Sequence, residues 1–241
     1  LIYFYSGTPG SGKSLKVSQE IIFKLVKRQK NVIACNFQAN YDYIRKNPKI
    51  VKWNKIRKKI GFKLKNENYK NIGKLYTFSL KHTKPEYFIN YALKFHKVGI
   101  ESQTLIVIDE AQSILSPTVV KLKCQEDRLY REKWIDFFTQ HRHLGFDVIL
   151  VSQFDRLIDP QIRCLFEYDY AHRKCNNYGL FGVILEALGI SLFVQVQKWY
   201  GIREKMGHEF FVYKKKYAEI YNSYKKFSDL KQKNSIKKKI A

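Results

Sequence analysis

The chain carries 45 Lys and Arg against 21 Asp and Glu over 241 residues, a formal net charge of +24, and its length fits one sizeable α/β domain with an appendage rather than two full-sized domains. Hydrophobic residues at 45% are enough to bury a core, while the charge far exceeds what solubility requires and points to a polyanionic partner, either a phosphate backbone or an anionic membrane face. Four cysteines, Cys35, Cys124, Cys164 and Cys175, show neither CxxC pairing nor metal-ligand spacing, which argues against a disulfide framework and for reduced thiols in a cytosolic setting. Part of the basic excess also matches the lysine-, tyrosine- and asparagine-rich usage of an AT-rich genome.

In chain order, residues 2–6 are β-branched or aromatic and predict a strand, and residues 13–30 carry Leu15, Val17, Ile21, Ile22, Leu25 and Val26 at helical spacing. Between them lies GTPGSGKS, residues 7–14. No basic leader or cleavage site precedes it, so no secretory signal is expected. NVIACNF, residues 31–37, predicts a second buried strand. A basic, tyrosine-dotted stretch from about 41 to 76 follows, expected as an insertion at the sheet edge or as loops and short helices. A helix is expected from residue 85 to about 98, a strand at TLIVID (104–109), a helix over 126–145 stopped by Gly145, and a strand at DVILVSQ (147–153). Strands apolar on both faces that alternate with helices imply a mostly parallel sheet between helix layers.

Past residue 160 the pattern changes. FEYDYAHRK (166–174), FVQVQKWYG (193–201) and HEFFVYK (208–214) alternate without clear crossover helices, predicting an antiparallel extension. The most apolar stretch, residues 178–201, is interrupted by Glu186, Gln195 and Gln197, whereas a membrane span needs about twenty largely apolar residues. It reads as a buried helix followed by a strand. The resulting division is a core over 1–160 with the insertion at about 41–76, an antiparallel and helical extension over 161–230, and a basic tail over 231–241 expected to be disordered.

GTPGSGKS matches G-x-x-x-x-G-K-[ST] at Gly7, Gly12, Lys13 and Ser14, with Thr8, Pro9, Gly10 and Ser11 completing the loop. Glycines let backbone N–H groups close on phosphate oxygens, and the helix that follows offers its positive end to the same anion. Lys13 is expected on the β- and γ-phosphates and Ser14 on Mg²⁺. The strand end LIVIDE supplies Asp109 as the second Mg²⁺ ligand, through water, and Glu110 as the general base on the attacking water. Gln153, ending another strand, is expected to sense the γ-phosphate or orient that water, or else to be a capping polar residue. Arg142, Arg156 and Arg163 are the arginines placed to act on a neighbouring subunit; Arg156, three residues past Gln153, is favoured, with surface salt-bridging as the alternative for each. The HRH triplet at 141–143 is read as packing or a subunit contact rather than a metal site, because i and i+2 do not face each other on a helix.

GTPGSGKS, VIDEAQ (107–112) and FFTQHRHLGFDVILVSQ (137–153) together resemble the zonula occludens toxin-like domain family, which includes the gene I assembly ATPase of filamentous phages. The resemblance runs through most of residues 1–175. It implies a P-loop NTPase fold of the FtsK/HerA type, ATP and Mg²⁺ as cofactors, and a homo-oligomeric ring, with a hexamer among the forms expected. It also implies a motor at the cytoplasmic side of the host membrane that hydrolyses ATP to strip single-stranded DNA of its binding protein and feed it to phage coat or assembly proteins. Gly7 to Ser14, Asp109, Glu110 and Gln153 carry over as site residues. Family members usually continue into a transmembrane helix; none is visible in residues 1–241, so any membrane contact of this sequence is expected to be peripheral or made through a segment outside it.

Three functions are therefore weighed. The motor is favoured by Glu110 and by aromatics interleaved with cations over residues 41–65, where Tyr41, Tyr43, Trp53 or Phe62 would stack on bases of a single strand, or alternatively turn into the core. A nucleotide-switched membrane- or partner-binding module without significant turnover draws on the basic tail and the apolar residues 180–194. A small-molecule kinase has the phosphate loop but no identifiable acceptor site.

Overall fold

The opening apolar run forms strand β1 (Ile2–Ser6), which passes through the glycine loop into helix α1 (Lys13–Ile22) and one further turn of wider, π-type winding (Phe23–Lys27). The computed structural model describes residues 1–221. Next come β2 (Asn31–Cys35), α2 (Tyr41–Arg45), α3 (Pro48–Ile60) and β3 (Leu75–Phe78), so the basic insertion is two helices that lead to a strand. Then follow α4 (Pro85–Phe95), β4 (Thr104–Ile108), α5 (Gln112–Leu115), α6 (Pro117–Glu126), α7 (Tyr130–Gln140), β5 (Phe146–Val151) and α8 (Pro160–Arg163). The last elements are β6 (Tyr168–Lys174), α9 (Gly179–Ala187), β7 (Leu192–Trp199), β8 (Lys205–Val212) and α10 (Lys215–Ala218).

All eight strands join one sheet in the order β3-β2-β4-β5-β1-β6-β7-β8. The first six run parallel, and β7 and β8 are antiparallel. β6 therefore belongs to the parallel body, paired to β1 from Tyr3 opposite Tyr168 to Ser6 opposite Ala171; the antiparallel extension begins one strand later than the alternation implies. Every residue of β4 and β5 is buried, because helices cover both faces. One face packs Ile2, Phe4, Ile106, Ile108, Val148 and Leu150 against Phe88 of α4 and Trp134, Phe137 and Phe138 of α7. The other packs Val32, Ala34, Leu105, Val107 and Ile149 against Val17 and Ile21 of α1.

Helix starts follow capping chemistry. Asn47, Ser116 and Asp159 each accept a backbone N–H in the next turn, and each is followed by a proline at the first helical position. Ser116-Pro117 opens α6, which has no counterpart in the expected elements. The expected helix over 126–145 is in fact the last residue of α6, a break at 127–129, α7, and a turn closed by Gly145 at φ +80°. In that turn His141 points into the core with Nδ1 donating to the Phe138 carbonyl at 2.6 Å, while Arg142 reaches Glu101 at 3.2 Å. His141 thus serves packing and Arg142 a surface ion pair, while His143 is exposed.

The apolar stretch does not form the buried helix expected of it. The helix from the apolar stretch, α9, is exposed along most of its length: only Gly182 and Leu185 are buried, and Leu180, Phe181, Val183, Ile184 and Leu188 face solvent. It rests on a small satellite cluster of Cys175, Leu185 and Val194 rather than in the main core. Among the described residues no helix is long and apolar enough to cross a membrane. The tail over 231–241, and residues 222–230 of the extension, lie outside the described residues.

Candidate nucleotide site

The strand order decides what meets at the C-terminal edge of the sheet. β5 lies between β1 and β4, so the end of β5 stands between the glycine loop and the acidic pair. Gly7, Gly10 and Gly12 all have positive φ, at 140°, 76° and 92°, a region that side chains with a Cβ rarely enter. Gly7 N–H donates to the Gln153 carbonyl at 3.0 Å, tying the loop to the end of β5, and Ser11 N–H donates to the Thr8 carbonyl at 3.2 Å. Gly12 caps α1, whose first-turn amides lack i−4 partners and point toward the loop mouth. Thr8, Pro9 and Gly10 are at the tip and exposed, and Ser11 is buried with its Oγ unpartnered among the described residues.

Lys13 folds back over this loop. Its Nζ donates to the carbonyl of Gly7 and, at 3.1 Å, to that of Thr8. Burial lowers its pKa, and the charges of Asp109 and Glu110 oppose that shift, so both acids lie within electrostatic reach of the ammonium. Asp109 is buried at the end of β4, with its N–H on the Cys35 carbonyl at 3.0 Å and its own carbonyl held by Asn36 Nδ2 at 3.1 Å. Glu110 follows in the left-handed region at φ 55°. That turn separates the two carboxylates: Asp109 Oδ1 accepts the Glu110 N–H at 3.1 Å, while the exposed Glu110 side chain is held by Gln112 Nε2. A left-handed glutamate is a costly conformation of the kind concentrated at functional sites.

Residues 9–14 of the loop, Asp109 and Glu110 line a cleft of about 740 Å³ with Gln153, Phe193, Tyr213, Tyr217 and Tyr221. Sequence reasoning does not find the tyrosines or Phe193, since no motif marks them. Tyr221 Oη lies 3.4 Å from Asp109 Oδ2 and is hydrogen-bonded with Ser14, so one hydroxyl spans the two residues expected on Mg²⁺; burial and Asp109 push its pKa up to about 12. Its ring stacks on Phe37 at 4.5 Å. A hydroxyl beside a buried carboxylate is an all-oxygen donor set suited to Mg²⁺, and the glycine cradle with its unpartnered Ser11 hydroxyl suits phosphate oxygens. The residues present fit both groups.

Arg156 is not in this cleft. It sits exposed in a single 3₁₀ turn (Asp155–Leu157) and lines a second cavity of about 560 Å³ on the other side of Gly7 and Thr8. Gln153 lines both cavities.

His172 of β6 supports the loop from below. Its Nδ1 donates to the Tyr170 carbonyl at 2.8 Å and lies 3.3 Å from the Ser6 carbonyl, and burial pulls its pKa down to about 4. Because this folded-state value is below the ordinary 6.5, the unfolded chain binds the proton first as pH falls. The stabilisation is full above about pH 6.5 and is lost as pH drops toward 4, with about 2 kcal/mol gone at pH 5. The expected result is a fall in melting temperature from pH 7 to pH 5 that is smaller in His172→Gln; an equal fall in both proteins would refute the assignment.

A family model described as Zonular occludens toxin (Zot) matches residues 1–226. Among solved structures, an ATPase domain is similar over 90% of this chain and 82% of that chain, at 13% identity and a TM-score of 0.53. The N-terminal domain of zonular occludens toxin from Neisseria meningitidis is similar over 92% of this chain and 98% of that chain, at 18% identity and a TM-score of 0.44. A KaiC-like protein from Pyrococcus horikoshii OT3 is similar over 88% and 84% respectively, at 14% identity and a TM-score of 0.47. No curated protein sequence matches the chain. At these identities the likeness to the ATPase domain is one of fold, and the fold is that of the P-loop NTPases.

Proposed function

This chain belongs to the Zonular occludens toxin (Zot) family, and from that premise we propose that it is a Mg²⁺-dependent ATPase acting as a motor in filamentous-phage assembly and extrusion. The observation that supports this most is the convergence of the glycine loop, Asp109, Glu110 and Gln153 on one cleft at one sheet edge. In this reading the loop amides and Lys13 bind the β- and γ-phosphates, and Ser14 and Asp109 hold Mg²⁺, which neutralises phosphate charge when bound. Glu110 takes a proton from the attacking water, and Gln153 orients that water. Gln153 also joins the cleft to the second cavity, so it is the residue through which events there reach the nucleotide. Arg156, outside its own cleft, acts on a neighbouring subunit of a homo-oligomeric ring.

The partner we assign is single-stranded DNA, passed to phage coat or assembly proteins at the cytoplasmic side of the host membrane. What supports the DNA part is the second cavity, where Phe154 and Trp199 are about half exposed beside Arg173, Lys198 and Arg203. None of these three cations has an ion-pair partner within 4 Å among the described residues, with Asp169 within electrostatic reach of Lys198, and exposed rings among cations suit a strand whose bases stack while its phosphates are neutralised. The test is ATP turnover with and without single-stranded DNA over a salt series, with the particle mass measured in a non-hydrolysable ATP analogue. Turnover stimulated by DNA, steep loss of stimulation with salt, and a closed multimer are expected. Absence of hydrolysis would overturn the motor and leave a nucleotide-switched binding module; hydrolysis indifferent to DNA would overturn the DNA assignment.

A further inference from the structure

The basic insertion is a closed lobe with one bare apolar face. Its two ends are tied, Asn47 N–H to the Glu67 carbonyl at 2.7 Å and Lys46 bridged to Asn68. Inside, Asn54 is the only buried residue of α3. It pins the helix to the returning chain, Nδ2 donating to the Lys65 carbonyl at 2.7 Å and Oδ1 accepting the Lys65 N–H at 3.0 Å. The helix ends at Gly61, φ 82°, with Phe62 N–H on the Arg57 carbonyl at 2.9 Å. A polar clamp therefore holds this lobe, and Trp53, Ile56, Ile60, Phe62 and Leu64 are left exposed.

Trp53, Ile56 and Ile60 are 63%, 48% and 64% exposed, and at 100° per residue they fall within an arc of about 60° on α3. Phe62 and Leu64, 64% and 54% exposed, continue beyond the helix end. Nine Lys and Arg and no Asp or Glu occupy residues 46–66, and none of the nine has an ion-pair partner among the described residues. On the helical wheel Lys52 and Lys59 flank the apolar stripe on one side and Arg57 on the other, placed so that their stems lie along an apolar layer while their charges reach its polar rim.

We propose that this lobe docks on an anionic lipid bilayer, with α3 lying in the plane of the interface, its Trp53–Ile56–Ile60 stripe in the acyl boundary and its cations on the headgroups. A basic helix with an exposed apolar stripe and no compensating acids has the composition of an interfacial helix. Two other occupants fit less well. A second copy of the lobe would set nine cations against nine. Single-stranded DNA takes planar rings for its bases, and of the five exposed apolar side chains only Trp53 and Phe62 offer one, while Ile56, Ile60 and Leu64 offer branched aliphatic surface. The proposal stands independently of the ATPase reading, because no residue of the lobe lines the nucleotide cleft.

The experiment uses the full chain in flotation with phosphatidylcholine vesicles, with and without phosphatidylglycerol, alongside binding to a single-stranded oligonucleotide. The wild-type chain is expected on phosphatidylglycerol vesicles and not on phosphatidylcholine alone. The triple variant Trp53→Ser, Ile56→Ser, Ile60→Ser keeps every charge and is expected to lose vesicle affinity by at least about tenfold, with oligonucleotide and nucleotide affinity unchanged. A second variant, Lys52→Gln, Lys55→Gln, Lys59→Gln, is expected to weaken vesicle binding and to flatten its salt dependence. Unchanged nucleotide binding in both variants certifies the fold. Equal binding to both vesicle types, unchanged vesicle binding by the triple variant, or a matching loss of oligonucleotide affinity would each overturn the proposal.

Discussion

Glu110→Gln is expected to lower ATP turnover by ~10²- to 10⁴-fold and to leave nucleotide affinity within a few-fold of wild type. The argument is geometric. Glu110 lies in the left-handed region at φ 55°, and its backbone N–H is committed to Asp109 Oδ1, so the turn itself separates its carboxylate from the buried one. Glutamine has the same length and the same backbone cost, and its amide oxygen still accepts from Gln112 Nε2; what it lacks is basicity toward water. Loss of turnover with retained binding therefore isolates proton transfer from phosphate recognition. Asp109→Asn makes the contrasting case: it removes charge from a buried side chain at the expected Mg²⁺ position, and its loss is expected to appear in the Mg²⁺ concentration needed for binding. Single-turnover hydrolysis and nucleotide titration measure the two quantities separately, and undiminished hydrolysis by Glu110→Gln would remove the general base from the scheme.

Much of this cleft is legible because its parts are local. GTPGSGKS sits between an apolar run and a helical stripe, and the acidic pair ends another apolar run, so residue type and neighbours together point to strand ends that carry phosphate chemistry. What places those strand ends side by side is the order β4-β5-β1, a long-range property that no window of sequence contains. The edge strand β3 is four residues, half of them exposed, and its Leu75, Tyr76 and Phe78 make too short a run to announce it. Helix α6 has a clear start at Ser116-Pro117, but Val120 is its only buried residue, so no stripe marks its length. The opposite failure is α9, where an apolar stripe does not mean burial, because only the Cys175, Leu185 and Val194 cluster receives it. Tyr221 stands more than two hundred positions from Ser14, and only the return of the chain over the cleft reveals it.

Gly7→Ala is expected to damage the protein far more than Gly10→Ala, although both positions lie in the same loop at positive φ. A Cβ at Gly10, φ 76°, meets nothing within 4 Å, so its cost is the left-handed backbone alone, roughly 1–2 kcal/mol. A Cβ at Gly7, φ 140°, falls 2.5 Å from the His172 carbonyl oxygen and 2.7 Å from Ser11 Oγ. The serine can rotate away. The carbonyl belongs to β6, held beside β1 where Ser6 pairs with Ala171 and beside β7 where His172 pairs with Gln195, so its movement strains both ladders. The alternative is for the loop itself to lift, which breaks the Gly7 N–H bond to Gln153 at 3.0 Å and moves the amides and Lys13 off the phosphate positions. Either route joins instability to loss of binding: Gly7→Ala should show a lower melting temperature than Gly10→Ala and nucleotide affinity reduced by more than about tenfold, which corresponds to ~1.4 kcal/mol. Thermal unfolding and nucleotide titration of the two variants side by side decide the matter. Equal behaviour would mean that β6 yields to the loop, and the cleft would then owe its shape to the glycines alone and not to the wall behind them.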